Sequence, residues 1–440
     1  MSSRIECPFL CEGDEGYDAA RRIWNGMIDR KPRWIARPRN IDEVMQAVRY
    51  AREENLPLCV RGGGHSVSGK CVADGALMVD LSLMKSIQVD PRRRTVIAQP
   101  GVKWGEFDAE TENYSLATTG GVISSTGIAG LTLGGGIGWL MGKHGLSCDN
   151  LISADLVNAE GRYVSASATE NPDLFWAIRG GGGNFGIVTA FEYQLHALSS
   201  VHGGVLLYPR ARAVELIRQY RDVTMTAPDE LTAYAALMTG HGTLMAAIAL
   251  CHSGEPSVAE RDNKMFYLAE PPIADLTGNK KYTELQSMLD FSAPAGLHYY
   301  FKCPFLRELT DEAIDAIVEY ASSAPTEQTQ VVIEHMHGAA SRVPAADTAF
   351  GLRRVHYSIN IMPAWDDPAL TDKCCAWARN FASAMEAFGA SDAYVNYLGD
   401  EGAAAVRASY GANYDRLARL KFKYDPENVF QFNQNIVGAA

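Results

Sequence analysis

Several features that mark other protein classes are missing from this 440-residue sequence. No apolar stretch approaches the roughly 18 residues of a membrane-spanning helix, and the first residues lack a signal peptide's apolar run, so we expect a cytoplasmic protein. The nine cysteines are an odd number without C-x-x-C spacing, which argues against a disulfide framework or a zinc ribbon. Positive charge is also scarce. A formal net charge of −12 argues against nucleic acid or an anionic membrane as the main partner.

Glycine and apolar side chains, in contrast, are abundant. The chain has 40 glycines against 19 prolines, with 47% hydrophobic and 21% charged residues. This composition is typical of a globular protein, and the length suffices for two or three packed units. Many glycines fall between Gly120 and Gly145, where apolar residues separate them too regularly for a solvated linker. This run therefore indicates backbone packed against a ligand.

The hydrophobic pattern predicts an α+β fold. A helix is expected from Asn40, because Asn40 and Glu43 have capping-box spacing and apolar residues follow at helical intervals. Within the first 200 residues, strands are predicted at 56–60, 76–81, 86–90, 94–99, 152–159, 163–167 and 187–195, and a helix at 173–179. Beyond residue 200, helices at 213–220, 310–322, 370–387 and 414–421 and strands at 244–251, 330–337 and 355–362 indicate a second α+β domain.

Three motifs match known sites in spacing alone. Residues 64–71 approach the phosphate-binding pattern G-x-x-x-x-G-K-[ST], but Cys71 replaces the hydroxyl residue and no helix is predicted after it. Residues 181–186 have G-x-G-x-x-G spacing, yet a helix precedes them and a strand follows, whereas a dinucleotide site needs the reverse order. His335 and His337 lie in a predicted strand without the third ligand that zinc requires. We therefore expect no nucleotide-hydrolysing loop, no Rossmann domain and no metal site.

The strongest local signal follows a predicted buried strand directly. It is the run Arg61-Gly62-Gly63-Gly64-His65-Ser66-Val67-Ser68-Gly69. Consecutive backbone N–H groups without side-chain obstruction can form a concave site for a pyrophosphate, and His65 would lie within it.

The order of several motifs resembles one known family. After the Gly-Gly-His loop come Val-Asp-Leu-Ser-Leu-Met (79–84), Pro-Gly-Val (100–102), the glycine-rich run and Phe-Trp-Ala-Ile-Arg-Gly-Gly-Gly-Gly-Asn-Phe-Gly-Ile-Val-Thr (175–189). With the closing Tyr-Asp-Pro-Glu-Asn-Val-Phe (424–430), this series resembles the vanillyl-alcohol-oxidase, or PCMH-type, FAD-binding superfamily. More narrowly it resembles the berberine-bridge-enzyme-like and 6-hydroxynicotine-oxidase-like branch. The likeness covers residues 31–200 and 394–436, and the middle of the chain matches only loosely.

The resemblance implies a two-part PCMH-type FAD-binding domain in residues 1–200, with subdomains at about 31–95 and 96–200. A substrate-binding domain is expected in 201–409, with an antiparallel sheet flanked by helices, and the segment 410–440 is expected to return to the FAD-binding domain. The implied activity is that of an oxidase, which takes a hydride from an alcohol, sugar, amine or secondary metabolite and passes electrons to O₂ to give H₂O₂. Two alternatives stay open: a flavin dehydrogenase with another acceptor, and a catalytically silent FAD-containing binding protein.

The same resemblance implies how FAD is held. In that branch the histidine of the Gly-Gly-His loop is joined to the flavin 8α-methyl group, which matches His65. Many members add a second bond through a cysteine in a Gly-x-Cys-Pro-x-x-Gly segment, but Ile123 stands at that position here, so we expect attachment through His65 only. Thr126 falls at a position associated with access of oxygen. The other residues expected at the cofactor are Arg61, Gly62, Gly63, Gly64, Ser66, Gly69, Gly127, Gly130, Gly186, Val188, Asn433 and Asn435.

Glu334 is the best candidate for the catalytic base, because it resembles the substrate-facing carboxylate of that branch. Removal of a hydride from carbon becomes easier when a base takes the proton of the adjoining O–H or N–H group. Strand alternation over residues 331–338 predicts Glu334 and Met336 on one face and Ile333, His335 and His337 on the other.

The segment Tyr394-Val-Asn396-Tyr397, predicted as a strand, resembles the substrate-facing Tyr-x-Asn-Tyr segment of the same branch. All three polar residues are candidates for a catalytic role. Tyr357 and Tyr300 are expected as possible hydrogen-bonding partners of Tyr397.

Overall fold

The computed structural model describes residues 7–240, 243–390, 394–399 and 401–439, which fold into three main sheets with helices between and around them. The helices of the described chain are α1 (Tyr17–Arg21), α2 (Ile41–Glu53), α3 (Trp104–Glu112), α4 (Ile128–Leu133), α5 (Met141–His144), α6 (Pro172–Ile178), α7 (Ala213–Thr224), α8 (Pro256–Asn263), α9 (Tyr282–Gln286), α10 (Asp311–Ser322), α11 (Gly338–Arg342), α12 (Thr371–Glu386), α13 (Gly402–Tyr410) and α14 (Tyr414–Tyr424). Within the residues described, no helix combines the length and apolar character that crossing a membrane requires.

The first sheet contains β1 (Phe9–Leu10), β2 (Trp34–Ala36), β3 (Leu58–Arg61) and β4 (Leu77–Asp80), in the order β1-β2-β4-β3. β2 and β3 both run parallel to β4, and α2 connects them. The predicted helix start is confirmed, because the Asn40 side chain accepts a hydrogen bond from the Glu43 backbone N–H at 3.0 Å. Val44, Ala47, Val48 and Ala51 of α2 are buried against this sheet, and Ile41 and Met45 are partly buried there.

The second sheet is antiparallel. Its strands, together with a short pair beside it, are β5 (Ile87–Asp90), β6 (Thr95–Ala98), β7 (Leu116–Ala117), β8 (Leu151–Val157), β9 (Tyr163–Ser167), β10 (Ile187–Gln194) and β11 (His196–Ala197). The order is β5-β6-β10-β8-β9, and β7 pairs with β11. The two hairpins predicted at 86–99 and 152–167 are confirmed, with ends that differ by one or two residues.

The third sheet is antiparallel as well and belongs to the second half of the chain. The strands of this region are β12 (Val201–Pro209), β13 (Leu231–Gly240), β14 (Thr243–His252), β15 (Ala274–Asp275), β16 (Gly278–Lys280), β17 (His298–Tyr299), β18 (Phe305–Leu306), β19 (Gln330–Met336), β20 (His356–Met362) and β21 (Ala364–Trp365). The order is β15-β12-β14-β13-β19-β20-β18, with β16 beside β12 and a separate pair of β17 with β21.

Helices cover one face of the third sheet and leave the other face free to line a cavity. Buried side chains of α7, α10 and α12 pack against alternate residues of the strands, such as Ala235 and Ile333. Tyr220 of α7 fixes this packing, since its hydroxyl donates to the carbonyls of Ala233 and Ile333 at 3.1 Å each. Side chains alternate along a strand, so Glu334 must point to the opposite face from Ile333. The predicted alternation of β19 is confirmed.

The C-terminal segment packs against residues of the first half of the chain. Lys421 of α14 is fully buried and pairs with Asp425 at 2.6 Å. Its ammonium group also donates to the carbonyls of Asn184 at 2.9 Å and Phe430 at 3.0 Å. Burial lowers the pKa of Lys421, and the Asp425 carboxylate opposes that shift. The segment after residue 410 is therefore anchored beside the loop that precedes β10.

The predicted strand at 394–397 is wrong. The backbone N–H groups of Tyr397 and Leu398 both donate to the Tyr394 carbonyl, at 2.9 and 3.1 Å, so the segment forms a tight turn. Hydrogen bonds that close back on the residue three or four positions earlier belong to a turn, not to a ladder with a neighbouring strand. Residues 391–393 and 400, on either side, lie outside the described residues.

Candidate active site

A cavity of about 1050 Å³ lies between the free face of the third sheet and the loops of the first two sheets. The loop after β3, the glycine-rich segment around residues 121–137, the loop before β10 and the C-terminal residues 430–434 line one side. The third sheet and the turn at 395–398 line the other. Segments far apart in sequence therefore meet around one cavity.

His65 lies on the wall of this cavity, in the loop that follows β3. Its ring stacks on Trp24 with centroids 4.6 Å apart, and its Nε2 lies 3.1 Å from the Ser125 hydroxyl. The Trp24 backbone N–H donates to the Gly64 carbonyl at 2.9 Å, which fixes the loop against this stack. Burial, aided by the positive charge of Lys103, lowers the pKa of His65 to about 3. The imidazole is therefore neutral at physiological pH, and one ring nitrogen carries a free lone pair.

Two glycine loops touch backbone to backbone on the cavity wall that faces the third sheet. A Cβ added to Gly63 would lie 2.4 Å from the Gly127 Cα, so neither position accepts a side chain. Gly130 has nothing within 4 Å of its Cβ position and lines the cavity, so a side chain there would occupy ligand space. This glycine wall is thus bare backbone, as the approach of a large ligand requires.

Asn433 closes the cavity from the C-terminal side. Its side-chain N–H group donates to the Phe430 carbonyl at 2.9 Å. Its side-chain oxygen is buried and accepts no hydrogen bond from the residues that the structure describes. A buried acceptor of this kind costs free energy unless a ligand or water satisfies it.

Glu334 lies on the opposite wall, on β19. It is 6% exposed, and its carboxylate accepts hydrogen bonds from the Ser358 hydroxyl at 2.8 Å and the Tyr397 hydroxyl at 3.1 Å. Asn360 supports Ser358 by donating to its hydroxyl oxygen at 3.2 Å. Burial raises the pKa of Glu334, and these donors reduce the shift without reversing it.

Tyr234 faces Glu334 across the pairing of β13 with β19. Its hydroxyl is buried, and none of the described residues forms a hydrogen bond with it. Burial and the charge of Glu334 both raise the pKa of Tyr234 well above its usual value, so the phenol stays protonated. The site therefore combines a carboxylate acceptor with an unused hydroxyl donor.

Two family models match parts of this chain. One, described as FAD binding domain, matches residues 32–167, and one described as Berberine and berberine like matches residues 393–437. An FAD-linked oxidoreductase of Dictyostelium discoideum is 33% identical over 98% of this chain and 95% of its own length. The chain belongs to the FAD-linked oxidoreductases, in their berberine-bridge-enzyme-like branch.

Two further comparisons concern oxidases within this branch. The (R)-6-hydroxynicotine oxidase of Paenarthrobacter nicotinovorans is 30% identical, with 99% of both chains covered. A crystal structure of 6-hydroxy-D-nicotine oxidase from Arthrobacter nicotinovorans superposes with a TM-score of 0.90 at 28% identity, covering 98% of both chains. This FAD-linked oxidoreductase therefore has the expected α+β fold of an FAD-binding part and a substrate part, and its function class is that of an FAD-dependent oxidoreductase.

Most residues predicted for the cofactor lie on the cavity wall. The lining includes His65, Gly62, Gly63, Gly64, Ser66, Thr126, Gly127, Gly130, Gly186, Val188 and Asn433. Arg61, Gly69 and Asn435 are not among the lining residues. Arg61 instead donates to the Ala20 carbonyl at 2.7 Å and lies 3.6 Å from Asp80. It therefore supports the histidine loop from outside.

The predicted catalytic residues come together in part. Glu334, Asn396 and Tyr397 line the cavity, whereas Tyr394 lies behind them. The Tyr394 hydroxyl accepts from the Gly136 backbone N–H at 2.8 Å and from the Asn396 side chain at 2.7 Å. Asn396 also donates to the Leu131 carbonyl at 3.1 Å, so these two residues hold the turn against the glycine-rich segment.

The expected pairing of Tyr397 with Tyr357 or Tyr300 is wrong. Tyr397 donates to Glu334 instead. Tyr357 points to the helix-covered face of the sheet, where its ring stacks on His335 at 4.6 Å. His335 faces the same way, and no group of three His, Cys, Asp or Glu side chains able to hold a metal forms among the described residues.

Some residues of the site were not predicted from the sequence. Ser358 and Asn360 alternate in a strand that was predicted, and two polar residues on one strand face indicate a cavity or a solvated face. The contact of Asp290 with Ser124 left no such signal. The Ser124 backbone N–H donates to the Asp290 carboxylate at 2.8 Å, and its hydroxyl donates to the second oxygen. This pair ties the turn at 290–292, at the edge of the cavity, to the residue after Ile123.

Proposed function

We propose that this protein oxidises a small molecule at a carbon next to an O–H or N–H group and that O₂ takes up the electrons to give H₂O₂. The observation that carries the proposal is the position of Glu334. It is a buried carboxylate on the cavity wall opposite the glycine wall. No Lys or Arg of the described residues pairs with it. A base placed there would take the proton of the substrate's O–H or N–H group.

The cavity fits an FAD. The backbone of residues 62–66 would hold the diphosphate through its N–H groups, and the contact of Gly63 with Gly127 removes the side chains that would obstruct it. Asn433 offers an unused buried acceptor on the same side. When bound, the flavin ring supplies the hydride acceptor.

His65 is our proposed single point of covalent attachment. The bond would join an imidazole nitrogen of His65 to the flavin 8α-carbon in place of one methyl C–H bond; the methyl and the imidazole N–H each lose a proton, and the two electrons released would pass through the flavin ring to O₂. This bond formation needs a neutral imidazole nitrogen, and the lowered pKa of His65 keeps the ring neutral. Ile123 lines the cavity without a thiol. Cys71 also lines it, but burial raises the pKa of that thiol to about 11, so it stays protonated and a poor nucleophile.

Glu334 would act as the general base, and Tyr397 would position it. A raised pKa makes the carboxylate a stronger base than an exposed glutamate. The Tyr397 hydroxyl and Ser358 together fix the orientation of the carboxylate, and its two oxygens have further lone pairs that can accept from a substrate.

Reaction with oxygen can be tested without a substrate. The purified holoprotein would be reduced with dithionite under nitrogen and mixed with air-saturated buffer, while flavin absorbance and H₂O₂ are measured. We expect rapid reoxidation with one H₂O₂ per flavin, and slower reoxidation in Thr126→Leu, because Thr126 is a small residue on the cavity wall. Slow reoxidation by air together with fast reoxidation by benzoquinone would instead identify a dehydrogenase.

The cytoplasmic location stays a prediction.

A further inference from the structure

The cavity face of the third sheet is divided into a polar end and an apolar floor. Strand pairing places Tyr234 and Ser358 on either side of Glu334 in the first row. Two residues further along the strands, the second row contains Ala236, Ala247 and Val332, with Asn360 at its β20 end. Two residues span about 7 Å of strand, so the alanine row begins about 7 Å from the row of Glu334.

A third row holds three methionines and one glutamine. Met238 of β13 and Met245 of β14 are directly paired, and Gln330 of β19 lies between Met238 and Met362 of β20. The Gln330 side chain donates to the Ser292 carbonyl at 2.6 Å, and all three methionine side chains line the cavity. Methionine is flexible and polarisable, and its sulfur makes favourable contacts with aromatic rings.

The polar groups near Glu334 are largely paired with one another. Asn360 donates to Ser358 and accepts from the Cys303 thiol at 3.1 Å, and Asn396 is bonded to Tyr394 and Leu131. Of the described wall residues around Glu334, the buried hydroxyl of Tyr234 has no hydrogen-bond partner, and Glu334 retains free lone pairs. These two groups can satisfy one hydrogen-bonding head group.

The mouth of the cavity is apolar as well. Phe291 is 73% exposed and Leu276 is 56% exposed, and both border the cavity. Large apolar side chains that remain exposed around a pocket mark a binding surface. A ligand of the same character would cover them on entry.

From this division we propose that the substrate is a ring-bearing, largely apolar molecule with a single hydroxyl or amine head, and not a carbohydrate. The proposal rests on the proposed function, in which the head group is oxidised beside Glu334. The head would bind between Tyr234 and Glu334, and the body would lie over the alanine and methionine rows. A sugar would place several hydroxyls against that floor, and each unpaired buried hydroxyl lowers affinity by about 5- to 150-fold.

Binding to the oxidised holoprotein tests this without turnover. Titrations followed by flavin absorbance, under nitrogen, would compare phenol, 4-phenylphenol and methyl β-cellobioside. We expect 4-phenylphenol to bind about tenfold or more tightly than phenol, because its second ring extends across the apolar floor. Methyl β-cellobioside should cause no spectral change at millimolar concentration. Equal or tighter binding of the cellobioside would overturn the proposal.

A matched pair of double variants locates the effect. In M238Q/M245Q two polar side chains of similar length replace the methionines, and in M238L/M245L the row stays apolar. We expect the preference for 4-phenylphenol over phenol to fall to about twofold or less in the glutamine variant and to persist in the leucine variant. An unchanged preference in the glutamine variant would show that the body lies elsewhere. A wrong assignment of the base would leave these affinities unaffected, so the two proposals can fail separately.

Discussion

Replacement of Glu334 by glutamine tests the proposed chemistry most directly. The amide has almost the same shape and can keep one accepted hydrogen bond, from Ser358 or Tyr397. Rearrangement of the other bond costs about 0.5–1.5 kcal/mol, which is roughly tenfold in rate at most. Loss of a general base slows the chemical step by about 10²- to 10⁴-fold, or about 2.7–5.5 kcal/mol. The two explanations therefore predict different magnitudes.

The assay is stopped-flow flavin reduction under nitrogen, with any alcohol or amine that reduces the wild-type flavin. We expect Glu334→Gln to keep its flavin spectrum and to reduce at least 100-fold more slowly at saturating substrate. Glu192→Gln, the same change on β10 outside the cavity wall, should reduce at the wild-type rate. A loss of tenfold or less in Glu334→Gln would refute the role of Glu334 as base.

The raised pKa of Glu334 adds a prediction about pH. The base must be deprotonated, so wild-type reduction should accelerate as pH rises through the raised pKa, and the glutamine variant should lack this dependence. Between the ordinary glutamate pKa and the raised one, the folded protein holds a proton that the unfolded chain has released. Stability must therefore fall as pH rises through that window, and Glu334→Gln should not show this decline in Tm.

Further outcomes follow from the other contacts. In wild type, acid precipitation should leave the flavin in the pellet, and peptide mapping should find one flavinylated peptide. His65→Ala should release its FAD on precipitation. Flavin bound to any other residue would contradict single attachment. Asp290→Asn should raise KM more than it lowers kcat, since the contact with Ser124 holds the cavity edge; a fall in kcat with unchanged KM would refute that role. Deletion of 410–440 should abolish flavin incorporation, and a folded yellow product would show that this segment is dispensable.

Elements with a strong local signal were predictable from the sequence. The helix at Asn40 has a side chain that caps its own backbone, and β19 contains the β-branched run Val331–Ile333, which is typical of a strand. Both signals act within a few residues and do not depend on distant contacts. The glycine loops were also predictable as ligand-facing backbone, because apolar residues between them exclude a solvated linker.

The arrangement around Glu334 could not be read from the sequence. Tyr234 lies 100 positions earlier, and only the pairing register of β13 with β19 brings the two side chains to one row. A shift of one residue would have moved Tyr234 to the helix-covered face. The turn at Tyr394 was mistaken for a strand because a four-residue alternation is too short to separate the two, and its true contacts are with Gly136 and Leu131.

The anchoring of Lys421 to the Asn184 carbonyl has a consequence for how the protein is made. The two residues are 237 positions apart, and Asn433, which closes the cavity, comes later still. During translation the glycine loops emerge long before the segment that completes the cavity around them. The cavity can therefore enclose FAD from this side only once that segment has been made. Until then we expect the alanine and methionine rows of the third sheet to be open to water, and exposed apolar surface of this kind favours aggregation.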